Sequence, residues 1–199
     1  MAVAAPVHHG QHVDRLFLNR IGLWFFFFSE SILFGLLLSA RFYLLRLDIP
    51  FEVKEDGSLH QLVSQQLGLI ITIILLLSSV TAFTAETAIE HDRRTLAKWM
   101  LFATIVLGLV FAAGVGFEWH EAEFEKRSAF GTVFFTMTGI HAAHVISGIG
   151  MLTLSWSMLL RGGFSSKSHW GISSTVMYWH FVDVVWVFFY PALYLVDKV

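Results

Sequence analysis

Five apolar stretches, each long enough to cross a bilayer, constrain this chain more than any other feature, since about twenty apolar residues in a helix cover a hydrocarbon core of about 30 Å. They fall near 21–45, 64–86, 97–119, 129–160 and 171–196. In lipid no water satisfies the backbone N–H and C=O groups, so each span must bond within itself. The predicted fold class is therefore all-α, a polytopic transmembrane helix bundle with five transmembrane helices. Composition agrees: of 199 residues 56% are hydrophobic and 14% charged, against about 25% charged in soluble domains. The 20 Phe and 7 Trp suit lipid-facing surface and interfacial belts. A net charge of −2 with no basic run excludes a nucleic-acid partner. The absence of Cys excludes disulfides, thiolate metal sites, a covalently attached c-type haem and a Cys-ligated copper centre.

Residues 1–20 read as an N-terminal arm, with His8, His9, His12, Asp14, Arg15 and Arg20 but no apolar stretch of signal-peptide length. The first span is then expected to act as its own insertion signal. Residues 21–199 read as one membrane domain, because the connectors, such as Leu47 to His60 and Glu90-His91-Asp92-Arg93-Arg94, are too short to be domains. The fourth stretch exceeds the length of a span, so it is expected to tilt or protrude, and Arg161-Gly162-Gly163 supplies a flexible terminus for it. With an inside N-terminus, Arg15, Arg20, Arg93, Arg94, Lys98, Arg161 and Lys167 lie on the inner side, against Arg41, Arg46, Lys54, Lys126, Arg127 and Lys198 outside. The slight inner excess favours a cytoplasmic N-terminus and a periplasmic C-terminus in a bacterial plasma membrane. Gly108, Gly114, Gly116, Ala142, Ala143, Ser147, Gly148 and Gly150 offer small surfaces for close helix approach.

Polar groups within the spans are costly and therefore informative. Glu30 follows Trp24-Phe-Phe-Phe-Phe-Ser29 with no base near it on its own helix. It is a candidate for proton exchange or for reaction with hydrophobic carboxyl reagents, or a neutral acid bonded to a neighbouring helix. His141 and His144 stand three apart, as do His180 and Asp183, so both pairs are expected to point into the bundle. Asp183 is placed to accept from His180 one turn earlier or from a neighbouring helix. Glu118 and Glu121 end the third span, where they could meet the fourth span or the loop after it. Two His with carboxylates could hold zinc or iron, and imidazoles from two antiparallel helices could ligate haem. Mutual hydrogen bonds between helices are the commoner use of such groups. His8, His9 and His12 form a metal-like cluster in a terminal arm, a setting that usually lacks fixed geometry. His91, His120 and His169 are expected to be solvated. No phosphate loop, nucleophile elbow or Ser/His/Asp order occurs.

Tyr178-Trp-His-Phe-Val-Asp-Val-Val-Trp186 resembles the C-terminal signature of cytochrome c oxidase subunit III. Gly131-Thr-Val-Phe-Phe135, Thr138-Gly-Ile-His141, His144-Val145, and Phe117-Glu118 with Glu121 resemble further segments of that family. Arg161 and His169-Trp170-Gly171 fall where its inner loop carries an Arg and a His-aromatic-Gly. Ser29-Glu30, between Trp24 and Phe34, is similar to the stretch holding its reagent-sensitive membrane carboxylate. The resemblance runs from about Leu23 to the C-terminus and implies a short, five-helix form beginning at the third helix of the longer members. Ser173 stands where many members place Glu, and Glu86 where some place His.

The resemblance implies an accessory, redox-inactive subunit of a proton-pumping haem-copper terminal oxidase in aerobic respiration. It would lie beside subunit I, with subunit II in the same complex, and would support proton uptake and resistance to turnover inactivation. Haem and copper would sit in partner subunits, with none in this chain and no catalytic residues here, and phospholipid would be bound between helices. Glu30, Glu118, His141, His144, His180 and Asp183 are then structural or proton-environment groups, and Glu30, Arg161 and His169 lipid contacts. A quinol oxidase or nitric oxide reductase is the in-family alternative. An independent haem b carrier using His141 or His144 with His180, and a proton conductor built on Glu30, are the competitors from other classes.

Overall fold

The computed structural model describes residues 15–46, 65–122 and 129–196. They form α1 (Arg15–Arg46), α2 (Gln65–Glu90), α3 (Arg94–Glu121), α4 (Ala129–Leu160) and α5 (Trp170–Tyr190). α5 continues as a π-helical turn, Pro191–Leu195. All five helices are long and apolar enough to cross a membrane, and among the described residues there is no strand, only one antiparallel bridge between Ser165 and Ser168. The His8, His9 and His12 cluster, the Leu47–His60 connector, and Lys126, Arg127 and Lys198 lie outside the described residues.

α1 begins at Arg15 rather than near 21, and α2 runs to Glu90 rather than 86. Helical bonding continues into the interface once it has nucleated, because the polar end residues bring their own solvation. At 32 residues each, α1 and α4 are about 48 Å long and exceed the hydrocarbon core. Their neighbours turn sharply. α4 ends in a Schellman motif, with the Gly163 N–H on the Met158 carbonyl (2.9 Å), the Gly162 N–H on the Leu159 carbonyl (3.1 Å) and Gly162 at φ +78°. α2 closes the same way on Asp92, at φ +58°, a residue whose short polar side chain tolerates that region.

α2 packs on α3, α3 on α4, α4 on α5, and α5 back on α2, giving a closed four-helix ring with α1 outside it against α4, α5 and the terminal turn. Burial follows this order: 56% of the α5 span is buried but only 11% of α1. Phe25, Phe28 and Leu36 of α1 face outward. Lipid tails are as apolar as the helix surfaces, so close packing and interhelical hydrogen bonds must hold the ring together. Both converge on α5. The Trp179 indole is wholly buried, fits against the bare backbone of Gly108 on α3 and Gly148 on α4, and donates to Ser78 Oγ on α2 at 2.9 Å. Trp186 donates to Thr72 Oγ1 at 2.9 Å. Phe27 of α1 stacks on Phe181, with centroids 5.1 Å apart.

Candidate functional site

The polar residues inside the spans form separate joints between helices. Glu30 joins α1 to α4: its Oε2 lies 3.1 Å from His144 Nε2. His144 Nδ1 lies 2.8 Å from the Ile140 carbonyl, which can only accept, so that nitrogen carries a hydrogen. Pairing the two polar groups limits the cost of holding them at membrane depth. The Phe34 ring covers His144, with centroids 4.9 Å apart.

His141, one turn away, turns to a different neighbour. It is fully buried, its Nε2 donates to the Val182 carbonyl of α5 at 3.1 Å, and its ring lies 4.8 Å from Trp186. The two imidazoles of α4 thus serve two interfaces. Asp183 is buried, whereas His180 is one-third exposed (34% for the side chain). The expected His180–Asp183 hydrogen bond is not formed, since Nδ1 to Oδ2 is 3.9 Å and Nδ1 bonds Ser79 Oγ of α2 at 2.7 Å instead. A shift of three residues leaves the two side chains offset along the helix, and the Ser79 hydroxyl fills the gap. Glu118 is buried near the end of α3, and residues 123–128, the loop after it, lie outside the described residues. Tyr194, in the terminal turn, donates to Glu118 Oε2 at 2.6 Å, while Glu121 is exposed. The π-helical turn brings Tyr194 inward, and no spacing rule applied to α3 alone reveals that.

At the end of the bundle where α1 and α5 begin and α2 ends, a cleft of about 540 Å³ opens, with Arg20, Glu86, Glu90, His169 and Ser173 in its lining. His169 is thus drawn into a cleft, not solvated as expected: its Nε2 lies 3.8 Å from Glu90. The Arg20 guanidinium lies 5.5 Å from the Trp170 ring centroid, within cation–π range. Ser173 and Glu86, the two departures from the resembled pattern, line this same cleft. Arg161 stands exposed in the turn after α4, and Glu30 lies ten residues, about 15 Å, along α1 from Arg20. The three lipid-contact candidates therefore do not share one site. His91 and His120 are exposed.

Sequence reasoning passed over Ser79, Tyr194 and Arg41. Arg41 is buried and donates to the Val196 carbonyl at 3.3 Å, tying α1 to the chain's end. Lone hydroxyls in apolar runs, as at Ser78-Ser79, were the available signal. Among the described residues no three His, Asp or Glu side chains gather as metal ligands, and His141, His144 and His180 each bond a separate partner.

A sequence profile of the cytochrome c oxidase subunit III family matches residues 3–198. The chain is 32% identical over 194 residues to cytochrome c oxidase subunit 3 of Thermostichus vulcanus, covering 96% of this chain and 92% of that protein. It is 40% identical over 130 residues to the protein of that name from Coturnix japonica, covering 65% of this chain and 50% of the other, and 39% identical to that of Gallus gallus with the same coverage. The matched segment spans about half the length of these two bird proteins. The profile match covers nearly every residue, including all five helices and their joints, and the chain belongs to the cytochrome c oxidase subunit III family.

Proposed function

We propose that this chain is an accessory, redox-inactive subunit of a proton-pumping haem-copper oxygen reductase, held in a bacterial plasma membrane with its N-terminus cytoplasmic. In this reading haem and copper sit in partner chains, and the bundle packs beside subunit I, in a complex with subunit II. It stabilises that subunit and its proton uptake, and it contacts phospholipid. The observation that carries the reading is the family match across both the chain and its interhelical joints. The polar groups inside the spans support it, because Glu30, Glu118, His141, His144 and His180 each meet a different helix or the terminal turn and none is aimed at a common cavity. A redox carrier would need imidazoles facing a shared space.

Purification of the tagged chain in mild detergent from its native membrane, with reduced-minus-oxidised spectra and oxygen consumption on cytochrome c and on quinol, tests this. Haem and copper in larger co-purifying chains, with the separated chain colourless, is the expected result, and the active donor then distinguishes a cytochrome c oxidase from a quinol oxidase. A Soret band in the separated chain would overturn it.

A further inference from the structure

The start of α3 and the end of α4 enclose a second hollow of about 400 Å³, lined by Thr95, Lys98, Trp99, Phe102, Trp156 and Leu160. Its size falls in the range of about 300–1,000 Å³ usual for sites that take a discrete ligand. The walls are rigid aromatic rings. Trp156 donates its indole N–H to the Lys98 carbonyl across the helix pair at 3.1 Å, which fixes the plane of that ring. Phe102 packs 5.6 Å from it and meets Trp99 edge-on at 6.3 Å. Trp99 is 64% exposed, so one side of the slot is open to whatever surrounds the bundle.

Lys98 is the only ionisable residue in the lining, which is almost wholly apolar, so its aliphatic stem borders the slot and its ammonium belongs to the rim, and the nearby acids are engaged elsewhere. Glu90 faces His169 in the other cleft. Asp92 accepts from Ser166 at 3.2 Å and lies 3.6 Å from Arg94. Among the described residues no carboxylate lies within ion-pair distance of the Lys98 ammonium. Arg93 and Arg161, both exposed at this same end, add to its field. An apolar aromatic slot with an unmatched lysine at its rim, near a span's end, suits a ligand with an anionic head and an apolar tail.

We infer that this α3–α4 slot holds one anionic phospholipid, with its phosphate on Lys98 and an acyl chain against Trp99, Phe102 and Trp156. The site is distinct from the cleft at α1, and it depends on the reading above only in placing the chain in a bilayer.

The test uses the whole complex carrying the full chain, delipidated in mild detergent and then supplied with phosphatidylglycerol or phosphatidylcholine. Lipid retained on the chain is counted by native mass spectrometry. The wild-type chain is expected to prefer phosphatidylglycerol. Lys98→Gln should reduce that preference about fivefold, the value of one basic residue near an anionic headgroup, and Lys98→Arg should keep it. Co-purification of partner subunits should be unchanged in both, which separates failure of this site from failure of the accessory-subunit reading. A photo-crosslinker, p-benzoylphenylalanine, introduced at position 99 leaves Lys98 intact and decides the matter should the Gln variant fold poorly. An adduct with the mass of phosphatidylglycerol supports the site. Equal retention of the two lipids by the wild type, an undiminished preference in Lys98→Gln, or an adduct to a partner polypeptide would each overturn it.

Discussion

Replacing Gly108 with Ala probes how the ring is held together. A β-carbon at Gly108 would stand 2.7 Å from Trp179 Cη2, 3.0 Å from Cζ2 and 3.2 Å from Ile149 Cγ1, where carbon atoms prefer about 3.5–4.0 Å. The indole has no room to retreat. Its far edge already lies against Gly148, where a β-carbon would be 2.9 Å from Cε3, and its N–H is bonded to Ser78. Overpacking of this kind costs about 1–3 kcal/mol, and displacing the ring from Ser78 adds the value of a membrane hydrogen bond, about 0.6–1.7 kcal/mol. The sum is about 2–5 kcal/mol. The gain in helix propensity from Gly to Ala, about 1 kcal/mol, leaves a net loss of about 1–4 kcal/mol. Gly116, on the same helix with nothing within 4 Å, isolates the propensity term, so Gly116→Ala should be neutral or slightly stabilising. Reversible unfolding of both variants in mixed micelles of sodium dodecyl sulfate and a mild detergent, followed by far-ultraviolet circular dichroism, measures the difference. Equal stability of the two variants would refute the close packing of α3 and α4 on Trp179.

Three further experiments address the polar joints. Tyr194→Phe removes the donor to buried Glu118 and should cost about 1–3 kcal/mol in the same unfolding assay; a loss below about 0.5 kcal/mol would show that this bond contributes little. A double-mutant cycle with Glu30→Leu and His144→Leu should return a coupling of about 0.6–1.7 kcal/mol, and strict additivity would rule out an energetically significant contact between them. His180→Ala breaks the bond from α5 to Ser79 of α2. It should lower the yield of assembled complex more than the oxygen consumption per assembled complex, and full assembly with abolished turnover would contradict the accessory reading.

Much of the architecture was legible in the residues because the bilayer leaves a chain few choices. The length of each apolar stretch dictates a span, the hydrogen-bonding demand of its backbone dictates a helix, and the rarity of polar groups in lipid marks Glu30, Glu118, His141, His144, His180 and Asp183 for attention. The Gly pair after Leu160 read correctly as a terminus, since a left-handed residue ends a helix. The partners of those marked residues were not legible. In a soluble helix an apolar stripe says which face turns inward, but here core and lipid are both apolar, so hydropathy carries no rotational information about the helices.

Only the tertiary structure therefore decided that His144 meets Glu30, 114 residues away, while His141 on the next turn meets Val182. Packing likewise sent His180 to Ser79 rather than to Asp183, and the π-helical turn after α5 carried Tyr194 to Glu118. Sequence alone determined how many helices there are and which of their residues cannot face lipid, because both follow from local transfer energies. Which helix answers each of those residues depends on steric fit between surfaces far apart in the chain, as where Trp179 enters the gap left by Gly108 and Gly148, and that fit exists only once the bundle has closed.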